Sequence, residues 1–113
     1  MTISWEEANR RLDRAAQSLN DAGPTSAAGP YHVGIDLGTA DIVVMALDAA
    51  GAPAACFLEW AEVVRDGVVV DYVGAVDIVR RLVARAQARL GVELTAAATS
   101  FPPGTDPRLS TYI

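Results

Sequence analysis

Apolar positions along this chain follow two different periods. Trp5, Ala8, Leu12, Ala15 and Leu19 recur every three or four residues, with Arg10, Arg11, Asp13 and Arg14 around them. That spacing lines one face of an α-helix. Ser4 followed by Glu7 is a capping-box pair with Ile3 just outside it, which predicts a helix starting near Trp5 and occupying 1–19 with its flanks. The pattern lapses over 20–31, where two glycines, two prolines and several small residues read as a flexible linker. One helix of this length is marginal in isolation. The first 31 residues therefore predict a docking arm that folds against a partner, a helix packed back on the domain, or a disordered tail.

From His32 onward the pattern becomes strand-like. Residues 33–37 and 42–47 are apolar runs joined by a turn, 48–53 is a second turn, and 54–64 resumes an extended run. Asp66-Gly67 is a two-residue hairpin signal and leads into 68–70. The helical period then returns over 72–90, with Val73, Val76, Val79, Leu82, Val83, Ala86 and Leu90 on one face. Asp71 is placed to cap its start and Gly91 its end. Arg81, Arg85 and Arg89 repeat every fourth residue on another face, which reads as a solvated stripe helped by an Asp77–Arg81 pair. A last run, 94–101, is placed to return as a strand parallel to the first, with the helix as crossover, and Pro102-Pro103 stops it. The elements sum to an α/β layer that is half wound.

Composition narrows the chemistry. The net charge of -5 argues against wrapping nucleic acid, whose affinity comes mainly from basic residues on phosphates. All nine basic residues are arginine. Without lysine, neither a P-loop nor Schiff-base chemistry is available within the chain. Cys56 is the sole cysteine, in an apolar run with Phe57 and Leu58, and reads as a small buried hydrophobe. His32 is the sole histidine and no nucleophile elbow accompanies it. No signal peptide or bilayer-length apolar run is seen, so a cytoplasmic location is expected.

One turn points to a chemistry. Asp36-Leu37-Gly38-Thr39 follows the first strand and precedes another strongly apolar one. A carboxylate there can hold a hydrated magnesium ion, Gly38 lets backbone amides approach an anion, and Thr39 adds a hydroxyl. Those are parts of a nucleotide phosphate site, although the same four residues also make an ordinary hairpin turn.

The order of elements, with Asp36-Leu37-Gly38-Thr39 in the first turn, resembles the first subdomain of the actin-like ATPase superfamily, a ribonuclease H-like fold. That superfamily includes actin, sugar kinases and heat-shock chaperones. The segment 58–72, the Gly38-Thr39-Ala40 turn and Phe101-Pro102-Pro103-Gly104-Thr105 are similar, more narrowly, to its ethanolamine-utilisation branch. The resemblance covers about residues 32 to 105 and leaves 106–113 as a divergent tail. It implies an ATP-binding, chaperone-like protein of a bacterial microcompartment. The implied partners are ethanolamine ammonia-lyase or a shell protein. On the family pattern Asp36 meets Mg through water, while Gly38, Thr39 and Ala40 face the ATP phosphates. Ala40 departs from the chaperone branch, where a second hydroxyl residue is usual. The second phosphate loop and adenosine pocket of such proteins are not found in these 113 residues. A truncated, catalytically silent member is therefore expected. The alternative is a non-enzymatic docking module, because the helix and linker resemble the layout of microcompartment-targeting peptides.

Overall fold

A computed structural model describes residues 2–100 other than Gly67. The proposed stop at Pro102-Pro103, the tail 106–113 and the Gly67 half of the hairpin signal lie outside those residues. The element order is α1 (Trp5–Ser18), β1 (His32–Leu37), β2 (Asp41–Leu47), β3 (Pro53–Trp60), β4 (Val64–Arg65), β5 (Val68–Val69), α2 (Tyr72–Leu90) and β6 (Ala98–Thr99). Four strands form one sheet in the order β3-β2-β1-β6, and β4 pairs with β5 apart from it. β1 runs antiparallel to β2 and β2 to β3, while β6 lies parallel to β1, as the crossover reading expects.

Alternation along β2 explains the layering. Ile42, Val44 and Ala46 are fully buried and the residues between them only half so. In register, Val33, Ile35 and Leu37 share this side with Ala55 and Phe57, and α2 closes the core over it through Ala75, Leu82 and Ala86. The opposite side presents Gly34, Asp36, Val43, Met45, Cys56 and Leu58. α2 is bounded as the pattern predicts. Asp71 accepts a hydrogen bond from the Gly74 N–H at 2.9 Å, and Gly91 ends the helix at a φ of 70. A side chain at position 74 would collide with the capping carboxylate.

Three expectations are corrected. The arginine stripe of α2 is exposed at Arg81 and Arg85, as expected, but its polar partners are not the expected ones and Arg89 is not solvated. Arg81 pairs with Glu59 of β3 at 2.8 Å rather than with Asp77, and Arg85 lies 4.7 Å from the centre of the Phe57 ring. Arg89, with its side chain only 10% exposed, donates to the carbonyls of Ala54 and Gly23. This face meets β3, and long arginine stems cover apolar surface while their heads reach polar partners.

The third run ends at Trp60 instead of continuing to Val64. Ala61 N–H turns to the Ala40 carbonyl at 2.9 Å, and the Val63 carbonyl accepts from Val70, which starts the separate ribbon.

The third correction concerns α1. Ser4 caps it as expected, accepting from Glu7 N–H at 3.1 Å. Its anticipated apolar stripe, however, does not face inward as a whole. Ala8 and Ala15 are half-buried and Ser18 is buried, while Trp5 is 81% and Leu12 66% exposed. The helix lies against β3, and small side chains allow that approach. Segment 20–31 is tied down as well. Asn20 N–H donates to the Cys56 carbonyl at 2.7 Å and Arg89 grips Gly23. Of the readings offered for these residues, the packed one matches the geometry.

If α2 closes the core through Leu82, Leu82→Ala costs about 2–5 kcal/mol, whereas Val73→Ala on its exposed side changes stability by less than about 0.5 kcal/mol. Urea unfolding of both variants measures the contrast.

Candidate functional site

The turn between β1 and β2 occupies the carboxyl end of β1, beside the parallel β6. In sheets with parallel strands, ligands gather outside these ends. Asp36 stands opposite Val43 on the side of the sheet away from α2. Its carboxylate is exposed and makes no hydrogen bond or ion pair among the described residues. It borders an open groove of about 520 Å³ lined by Gly34, Asp36, Val43, Met45, Ala98 and Thr99, among others.

The structure gives Gly38 a different part from the one its sequence suggests. Its N–H donates to the Asp41 carbonyl at 2.8 Å, closing the turn, and is committed there rather than to an anion. A Cβ at this position would lie 2.9 Å from that carbonyl oxygen and 3.0 Å from Asp41 Oδ1. Glycine is thus required by the close approach of the chain to itself. Thr39 and Ala40 are exposed at the tip, and neither N–H has a partner among the described residues. The turn therefore offers two backbone donors and the Thr39 hydroxyl.

Asp41 is the residue that sequence reasoning missed. Counting back in twos from Val43 places it on the same side of the sheet as Asp36. Diagonal cross-strand neighbours of this kind lie about 7–8 Å apart, so the two carboxylates suit a hydrated ion better than a directly chelated one. No group of three or more His, Cys, Asp or Glu side chains placed to hold a metal occurs among the described residues. One or two carboxylates plus water and phosphate oxygens is the donor set magnesium usually takes, so the residues fit that ion.

Other chemistries find no support here. His32 opens β1, four residues before Asp36 and hence about 13 Å away along the strand. Cys56 is buried, and burial pushes its thiol above the usual range, leaving it neutral and unreactive. No described helix is long and apolar enough to cross a membrane.

Similarity to known proteins narrows the class. No protein-family model matches the chain. Proteins of ethanolamine utilisation do, as the residues of 58–72 suggested. The relatives it resembles are EutJ proteins. The chain is 50% identical over 100 residues to ethanolamine utilization protein EutJ of Salmonella typhimurium, and equally to those of Salmonella typhi and Escherichia coli. The match takes in 88% of this chain but 36% of each relative, so the chain spans about a third of their length. The crystal structure of EutJ from Carboxydothermus hydrogenoformans is similar to it with a TM-score of 0.85 and 46% identity, over 93% of this chain and 39% of that one. A 93% match of 113 residues leaves about eight outside it. Most of α1 and of segment 20–31 therefore belongs to the shared fold.

Because Gly38 closes the turn through Asp41, Gly38→Ala lowers the unfolding free energy by about 1–3 kcal/mol, the range for forcing atoms into a packed site. Urea denaturation checks this, and an unchanged midpoint would leave the glycine unexplained.

Proposed function

We propose that the β1–β2 turn is the first phosphate-binding element of an actin-like ATPase fold, and that the chain takes magnesium-ATP there in ethanolamine utilisation. The observation that carries this reading is the unpartnered Asp36 at the carboxyl end of β1, open to a groove, with the free N–H groups of Thr39 and Ala40 next to it. On this reading Asp36 and Asp41 hold the hydrated metal, while Thr39 and Ala40 donate to phosphate oxygens. Gly38 keeps the turn tight. Among the described residues no arginine lines the groove, and on this reading the metal supplies the positive charge that a triphosphate needs beside two carboxylates.

Phosphoryl transfer depends on positioning and charge stabilisation from several sides. The described residues provide one side. On this reading these residues bind nucleotide weakly, and hydrolysis needs groups from the other sides. In the context of EutJ relatives, we assign it a chaperone-like rather than a metabolic role, with ethanolamine ammonia-lyase as the proposed client. The second reading, docking on a microcompartment shell protein, rests on the outward Trp5 and Leu12 of α1.

Titration calorimetry tests the first reading. Magnesium-ATP binds the unaltered chain with a Kd in the region of about 0.1–1 mM, and Asp36→Ala or removal of magnesium with EDTA abolishes the heat. Equal binding by the parent and the variant would refute the site.

A further inference from the structure

Gly34 is a glycine that the chain's own packing does not require. It lies exposed inside β1, paired with Met45 of β2 on one side and with Ala98 of β6 on the other. Glycine weakens a strand interior, and where it occurs it marks a bulge, a bend or the close approach of something to the backbone. The pairing with β2 runs through Gly34 without a shift, and its φ is not left-handed. A Cβ built there meets nothing within 4 Å, whereas one at Gly38 would strike the Asp41 carbonyl. An approach from outside the described residues is the reason left.

The open space above Gly34 is the floor of the groove that reaches Asp36, two residues on and on the same side of the sheet. Val43, Met45 and Ala98 flank that floor, all apolar. Such an opening suits a flat apolar group that lies directly on the backbone, and a methionine sulfur favours an aromatic one. A polypeptide segment seated here would cover the Asp36 carboxylate, which has no hydrogen bond or ion pair among the described residues. Burying that charge unpaired is costly, while a magnesium-bound nucleotide brings it a countercharge. Gly34 stands four residues before Gly38, about 13 Å along the strand, a reach that an extended nucleoside triphosphate spans.

We propose that the groove over Gly34 seats the base of the nucleotide whose phosphates meet the β1–β2 turn. This rests on the reading of the turn as a phosphate site. The seat is separate from the adenosine pocket that the family resemblance implies, which is not found in these 113 residues.

Amide-shift titrations of the full chain compare magnesium-ATP with magnesium tripolyphosphate, which carries the phosphates and no nucleoside. The unaltered chain is expected to bind ATP about tenfold more tightly, from the apolar surface that the base covers. Shifts at Gly34, Met45 and Ala98 are expected with ATP alone. Gly34→Val fills the floor. It is expected to remove the tenfold margin, leave tripolyphosphate binding as it was, and keep the urea midpoint at or above that of the unaltered chain, since valine favours strands. Gly34→Ala, which adds only the Cβ, is expected to keep the midpoint and lose part of the margin. The proposal is overturned if ATP keeps its margin in Gly34→Val, or if both ligands bind the unaltered chain equally. It also fails if both variants lower the urea midpoint, since the glycine would then serve the fold itself. Binding of neither ligand to the unaltered chain would instead remove the phosphate site, and the base seat with it.

Discussion

Register in the β1–β2 hairpin governs everything above it. With Asp36 opposite Val43 and Ile35 opposite Val44, the charged residue faces the open groove and the apolar ones face α2. A shift of one position would exchange those faces. Asp36 would enter a core built from Val44, Phe57 and Leu82, and an unpaired buried carboxylate costs several kcal/mol. The Gly38–Asp41 hydrogen bond at the tip and the complete burial of Ile42, Val44 and Ala46 fix the same register from two directions. The exposed turn lies where it does because the core disfavours any other pairing.

The second face of the sheet is organised differently. α2 covers the core side with interdigitated apolar residues, while α1 is set against β3. There the holding is polar. Arg89, nearly buried and bonded to two carbonyls, is a stronger tie than Arg81–Glu59, whose side chains are 56% and 37% exposed and whose contribution is small. Glu7 is held below the usual carboxylate range by its hydrogen bonds to Arg10 and Arg11, yet it lies at the surface. Its help to α1 is present above the normal carboxylate range and fades as pH falls through its lowered value.

How much of this was legible in the residues varied with the kind of signal. Alternation at Ile42, Val44 and Ala46 announced the central strand, and the Asp71 and Gly91 caps bounded α2 to the residue, because local chemistry decides both. The parallel return also followed from the order of elements, although the strand itself is only Ala98–Thr99. Periodicity named the apolar face of α1 but did not reveal which half meets the sheet. That depends on a strand 38 residues away, as the Leu58–Asn20 bond illustrates. Arg89 of α2 misled for a related reason, since a repeat every fourth residue looks the same facing water or reaching into a polar contact beside β3. Asp36 stood out as a candidate from its turn, and the structure leaves it exposed beside a groove. Asp41 did not, since only the register puts it on the same side. Gly38 was singled out for an anion contact, whereas the constraint on it is the neighbouring carbonyl.

The central claim is that this register delivers a receptive turn to the open end of β1. Amide chemical shifts of the isotope-labelled chain, followed while magnesium-ATP is added, address it directly. The account predicts progressive shifts at Asp36, Thr39 and Ala40, with Gly38 moving least of the turn because its N–H stays with Asp41. Shifts confined to the opposite end, around Tyr31 and Leu94, or none at all, would contradict it.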